Sequence, residues 1–320
     1  MIEAPFRADA AVARRMAELG TTVGPAVEAE IRALVEGPSR DPLGGWTVSA
    51  AAVADLVARH VLASERELAL LAVPVARALA RPPISGYRVG AVGIERESGV
   101  LVLGANLEFP GADLGWTVHA EGFVALRARR RGATLETLAV HEAHPCAHCR
   151  QTLAESAASA NLEIIDPLGH ELTLDELYPW PFQPSALGVE GDRPDASAWP
   201  GLAFLADDVP PDVADLLREV GSRAHAPYSA APSAVVVRLR DGRLLAAAAF
   251  ESVAFNPSIT AVQAALVELV AARAEAADIT RAWLARTADG SIDPAPGFHA
   301  LLSALAPSAE RHVADWRTGA

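Results

Sequence analysis

The chain holds two cysteines, Cys146 and Cys149, and both close a stretch that begins at His119. It reads His119-x-Glu121, then 23 residues, then Pro145-Cys146-x-x-Cys149. Two thiolates and an imidazole are the soft-to-borderline donor set that suits Zn²⁺, and three protein ligands leave a fourth tetrahedral position open. A catalytic zinc needs that open position and a structural zinc lacks it. Glu121 stands two residues from His119, suited to exchange protons with a water there. The spacing therefore demands a fold that brings residue 119 beside residues 146 and 149. Pro145 fits the first position of a helix, with the cysteines three apart on one face of its first turn. Unpaired N–H groups and the positive dipole end favour thiolate there. His119 and Glu121 open a second helical stretch that Gly132 can stop. Two helix N-termini then converge on one metal.

A C-x-x-C pair also serves redox chemistry or half of a structural zinc site, for which His141, His144 or His148 could supply another ligand. Glu121 and Pro145 have no task in that alternative. His148, between the cysteines and off their shared face, reads as a solvent-side residue.

Composition narrows the partners. A formal net charge of −13 speaks against polynucleotide, which wants a basic face. All 27 positive charges are arginine, and the one basic run, Arg127, Arg129, Arg130 and Arg131, reads as the solvated end of a helix. No stretch approaches 18 uncharged apolar residues, and the first residues lack the apolar core of a signal peptide. Two cysteines allow one bridge at most, which suits a reducing cytoplasm. No membrane association is expected.

Along the chain, residues 1–64 read as a small helical region with packing or dimer contact as its role. Residues 65–182 carry a helix, a hairpin of two apolar runs, YRVGAVGIE and GVLVLGANLEF, and the His-to-Cys stretch between further strands. Strands alternating with helices of this length predict an α/β fold, an α/β/α three-layer sandwich around a mixed sheet. Residues 183–204, rich in Pro, Gly, Ser and Asp, read as a linker. Residues 205–320 then repeat the first pattern, with Pro83-Ile84-Ser85 returning as Pro227-Tyr228-Ser229 and Glu108 meeting Glu251. At the same spacing His119 meets Gln263 and Glu121 meets Ala265, and no cysteine follows. The sandwich is thus duplicated, and its second copy lacks the zinc ligands.

The motifs SGYRVGAVG, GANLEFPG, TVHAEGFVAL, PCAHCRQTL, APYSAAPSAV and FESVAFNPS resemble those of the two-domain, dimeric bacterial type of zinc-dependent cytidine deaminase, over essentially the whole chain. The H-x-E and P-C-x-x-C pair marks the wider zinc deaminase superfamily. The resemblance implies that His119, Cys146 and Cys149 bind Zn²⁺ and that Glu121 shuttles protons. It implies that Asn106 and Glu108 hydrogen-bond the ribose 3′-hydroxyl, and that Tyr87, in the place of a Phe, packs on the pyrimidine. The carbonyl of Ala120 and amides near Cys146 would meet the base edge, and backbone near Ala254 of a partner chain would face the 5′-hydroxyl. Three departures stand out: Tyr87 for Phe, His144 for a Thr or Ser, and Ala147 for Gly.

The implied activity is hydrolytic deamination of cytidine and deoxycytidine in pyrimidine salvage, by a cytoplasmic homodimer acting on a small-molecule nucleoside. The alternatives are a deaminase of another aminopyrimidine nucleoside, a polynucleotide editor, and a zinc-binding module without turnover. The acidic charge opposes the editor and Glu121 opposes the inert module.

Overall fold

A computed structural model describes residues 8–37, 43–141 and 144–319. The packing divides the chain into two units: Met1–Leu107 with His119–Pro181, and Glu108–Val118 with Phe182–Ala320.

The first unit opens with α1 (Ala10–Thr22) and α2 (Gly24–Glu36), then a short strand β1 (Thr47–Val48), α3 (Ala50–Arg59) and α4 (Glu65–Ala78). Pro74 lies inside α4 on its exposed face and removes the N–H that would otherwise bond the Leu70 carbonyl. The hairpin β2 (Gly90–Glu95) and β3 (Leu101–Ala105) follows, then α5 (Ala120–Arg130), β4 (Leu135–Ala139), α6 (Ala147–Leu153), β5 (Glu163–Ile165), β6 (Glu171–Thr173) and α7 (Leu174–Leu177). The sheet order is β1-β3-β2-β4-β5-β6. Only the β4–β5 pair is parallel.

Successive residues of a strand point to opposite faces, and β2 uses this to take helices on both. A Cβ at Gly90 would strike the α4 backbone at Arg77, and one at Gly93 would strike Val124 of α5. Every residue of β2 and β3 is buried. Leu101 and Leu103 are wholly so, and burial of such a side chain contributes about 1.5–3 kcal/mol.

The second unit contains β7 (Ala203–Phe204), α8 (Pro211–Ser222), β8 (Ala234–Leu239), β9 (Leu244–Ala248), α9 (Ala261–Ala271), β10 (Ile279–Thr287), α10 (Ala295–Leu305) and β11 (Glu310–Arg317). Its sheet order is β7-β11-β10-β8-β9. The run β9-β8-β10-β11 repeats β3-β2-β4-β5, antiparallel, antiparallel, parallel. The duplicated mixed α/β fold expected from the sequence is therefore present. Val213, Leu217 and Val220 of α8 pack with Ala234, Val236, Trp283 and Trp316. All eleven residues of α9 are buried.

Two expectations need correction. The basic run is not a solvated helix end. Arg127 is 1% exposed and donates through Nη2 to the carbonyls of Leu43 and Gly45, at 2.6 and 3.0 Å. Arg131 donates to buried Glu95 at 2.7 Å. In the segment 183–204, Pro184 and Asp192 are buried and Trp199 Nε1 donates to the Ala224 carbonyl at 3.0 Å. The fixed repeat spacing also fails at the site helix. Val92↔Ala139 and Val236↔Trp283 keep the 144-residue offset, yet α5 starts at Ala120 and α9 at Ala261. The N-cap His119 therefore matches Thr260, and Gln263 is the third residue of α9, closing a capping box with Thr260. The Glu275–Asp278 turn restores the register before β10.

Candidate active site

The site begins at β3. A Cβ on Gly104 would lie 2.9 Å from the Ala120 carbonyl and 2.6 Å from a Val124 methyl. Glycine there lets the first turn of α5 lie against the sheet. His119 is the N-cap of α5 in extended conformation, φ −78° and ψ 160°. The cap leaves its imidazole outside the helix while Glu121, at the second helical position, points inward and is 4% exposed. Cys146 is likewise the N-cap of α6, φ −69° and ψ 173°, and Cys149 is its third residue. Pro145 thus lies one residue before the cap, not at the first helical position as the sequence suggested. The convergence of two helix N-termini holds.

His119 Nδ1 lies 3.4 Å from Cys146 Sγ and 3.3 Å from Cys149 Sγ, and the sulfurs are 3.5 Å apart. Zinc bonds of about 2.0–2.3 Å in a tetrahedron separate such atoms by roughly 3.5–3.8 Å. The trio fits a zinc ion with adjustments of a few tenths of an ångström, and Nδ1 is the nitrogen that faces it. Among the described residues, His119, Cys146 and Cys149 are one of two groups able to hold a metal. Cys149 is buried and Cys146 exposed, so the position has one open side.

Electrostatics fit this geometry. Hydrogen bonds from Cys149 and from His119 hold the Cys146 sulfur as thiolate, with its pKa down to about 3. The same bond to Cys146, then burial, pushes the Cys149 thiol up. The Cys146 sulfur raises the pKa of His119. Burial raises that of Glu121, whose Oε2 is 3.5 Å from Cys149 Sγ. Arg150 fastens the approach to Cys146 by donating to the carbonyls of Pro145 at 2.7 Å and Leu177 at 3.0 Å. No motif marks Arg150, and sequence reasoning passed over it.

The remaining candidates lie as follows. Asn106 is buried, accepting from Val89 N–H and donating to the Tyr87 carbonyl, both at 2.9 Å. It therefore braces the loop that carries Tyr87, a residue that is 51% exposed and not a core aromatic. One N–H and one lone pair of the Asn106 amide remain for a ligand. Glu108 belongs by packing to the second unit, as does Ala254. In the repeat, Glu251 accepts from the Tyr228 and Ser229 amides, at 3.0 and 3.1 Å, and from the Ser229 hydroxyl. Its carboxylate is consumed by its own loop.

A mixed-sheet sandwich presenting an open His-Cys-Cys set beside a buried carboxyl defines a zinc-dependent deaminase. Two family models, both described as the cytidine and deoxycytidylate deaminase zinc-binding region, match residues 63–162 and 214–295. A cytidine deaminase of Sodalis glossinidius (strain morsitans) is 35% identical over 312 residues, 93% of this chain and 98% of that protein. The chain belongs to the cytidine deaminase family. A cytidine deaminase of Vibrio atlanticus (strain LGP32) is 34% identical over 267 residues, 82% of this chain and 86% of that protein. The crystal structure of cytidine deaminase from Mycobacterium tuberculosis is 31% identical, with a TM-score of 0.31, covering 34% of this chain and 90% of that one. The second family match falls on a stretch without cysteine. Among the described residues no helix is long and apolar enough to cross a membrane.

Proposed function

We propose that the chain hydrolyses cytidine and deoxycytidine to the uridine nucleosides and ammonia. The observation that carries this reading is Glu121, a buried carboxyl with raised pKa, 3.5 Å from a sulfur of the metal-binding trio. His119, Cys146 and Cys149 would hold zinc, which when bound supplies the Lewis acidity that makes water nucleophilic near neutral pH. Glu121 takes a proton from the attacking water and delivers it to N3 of the ring, which makes C4 electrophilic. The water oxygen then bonds to C4. Glu121 next carries the proton of the new C4 hydroxyl to the exocyclic amine, the C4–N bond breaks as C4=O forms, and ammonia leaves. A carboxyl whose pKa is raised by burial is better able to give back the proton it takes.

Around this centre Asn106 and Glu108 take the ribose 3′-hydroxyl, Tyr87 lies on the pyrimidine, and the Ala120 carbonyl meets the base edge. Residues 65–182 form the catalytic domain, behind the 1–64 helical region. Residues 205–320, joined through 183–204, serve as a lid-forming copy without zinc ligands. The working assembly is a cytoplasmic homodimer in pyrimidine salvage. The loop around Ala254 of one chain then faces the 5′-hydroxyl in the other. Phe255, in that loop, is 63% exposed and held at φ 61°, a strained setting for an aromatic that suits an external task.

The test is a substrate panel with the purified protein: cytidine, deoxycytidine, cytosine and other aminopyrimidine nucleosides, each followed by ammonia release. Turnover of both cytidine nucleosides well above the rest supports the reading. Preference for a different aminopyrimidine would overturn the substrate while leaving the chemistry.

A further inference from the structure

We propose that His144, Asp166 and His170 form a second divalent-cation site, separate from the trio of His119 and the cysteines and independent of the deaminase reading. Asp166 follows β5, and its side chain is 1% exposed. Its Oδ1 accepts from the backbone N–H groups of Leu168 at 2.9 Å and His170 at 3.0 Å, which fixes the carboxylate plane. Its Oδ2 faces two imidazoles, His144 Nε2 and His170 Nδ1, each at 2.7 Å. The rings stand edge to face, with centroids 5.6 Å apart and planes at 89°, so two nitrogens converge on one point. All three donor atoms lie within 4.8 Å of one another. The histidine side chains are 39% and 21% exposed, which leaves a path and open positions for water.

Two imidazoles and one carboxylate suit a first-row divalent cation such as Zn²⁺, Co²⁺ or Ni²⁺ better than Ca²⁺ or Mg²⁺. Bonds of about 2.0–2.2 Å set such donors roughly 2.9–3.5 Å apart, so the present 2.7 Å gaps must open by a few tenths of an ångström. Rotation of two partly exposed histidines supplies that. Each ring then turns a lone pair inward and carries its proton on the outer nitrogen, where water can accept it. The two amides on Oδ1 are the outer support that orients a ligating carboxylate. The sequence offers His144 only as a further ligand beside the cysteines, and its 22-residue separation from Asp166 gives no sign that the two meet.

The experiment is titration with Co²⁺ of enzyme carrying one equivalent of zinc per chain, followed by equilibrium dialysis and visible absorption. Zinc outcompetes cobalt at a thiolate site, so added Co²⁺ reports on the second cluster. The expected result is one equivalent of Co²⁺ per chain, with weak d–d bands and no thiolate charge-transfer band. His170→Ala and Asp166→Asn should each lower its affinity at least about 100-fold, the upper range for outer-shell losses, and His148→Ala should not change it. His170 is partly exposed, so its variant tests the site even where Asp166→Asn fails to fold. No cobalt uptake, uptake indifferent to His170→Ala, or uptake that displaces zinc with a thiolate band would each overturn the proposal. The three groups would then be a hydrogen-bonded latch.

Discussion

Glu121 Oε2 lies 3.5 Å from Cys149 Sγ, so the buried carboxyl borders the metal position without being one of its three donors. In the proposed reading this separation leaves one side chain to carry protons while others hold the ion, so the two tasks should be separable by mutation.

The seating of α5 depends on Gly104. Gly104→Ala forces a Cβ within 2.9 Å of the Ala120 carbonyl, and backbone cannot swing aside as a side chain does. The variant should lose about 1–3 kcal/mol of stability, as over-packing usually costs. It should also bind zinc more weakly, since His119 caps the displaced helix. Urea denaturation and zinc analysis measure both. Full zinc affinity in the variant would mean that α5 is not positioned through this contact.

Glu108 should discriminate nucleoside from free base. A charged hydrogen bond to a sugar hydroxyl contributes about 1.5–3 kcal/mol. Glu108→Ala should therefore lower kcat/KM for cytidine by roughly 10- to 150-fold and leave any activity on cytosine nearly unchanged. Equal losses on both substrates would assign Glu108 a structural task.

Phe255→Asp tests the homodimer. The residue is exposed, so the change should not disturb folding, and zinc content should stay at the wild-type value. Chains carrying Glu121→Gln mixed with chains carrying Phe255→Asp should regain activity, because one site in the heterodimer has both an intact Glu121 and an intact partner loop. Heterodimers that form and regain nothing would show that the loop does not serve a partner.

Asp166 links folding stability to acid. Burial raises its pKa, but the hydrogen bonds from His144 and His170 outweigh this and hold it below the ordinary carboxylate value. A depressed folded pKa contributes stability above the unfolded pKa and loses it as pH falls through the folded one. The stability gap between wild type and Asp166→Asn should thus be full above about pH 5 and shrink as pH drops below about 4. Denaturation across that range checks it, and a gap that widens in acid would reverse the sign.

The chemistry was legible because it rests on side-chain identity at short spacing. His119, Glu121, Cys146 and Cys149 need only two helix starts to meet, and both starts exist. The repeated hairpin was legible because β2, β3, β8 and β9 are apolar runs bounded by turn residues. The phase of α9 was not, since Thr260 and Gln263 make a capping box that sets the helix start three residues earlier than a constant spacing requires. The short strands β1, β6 and β7 were missed because two or three residues hold no periodicity. Arg127 was misjudged for another reason. Its partners are the carbonyls of Leu43 and Gly45, more than 80 residues away, and carbonyls leave no mark in a sequence.

The most direct test is cytidine turnover by Glu121→Gln at equal zinc content. Wild type should lose cytidine absorbance with one ammonia released per uridine formed. The variant should retain its zinc and fall by at least the about 10²–10⁴-fold that a positioned acid–base group contributes. A fully zinc-loaded Glu121→Gln enzyme that deaminates cytidine near the wild-type rate would contradict the account.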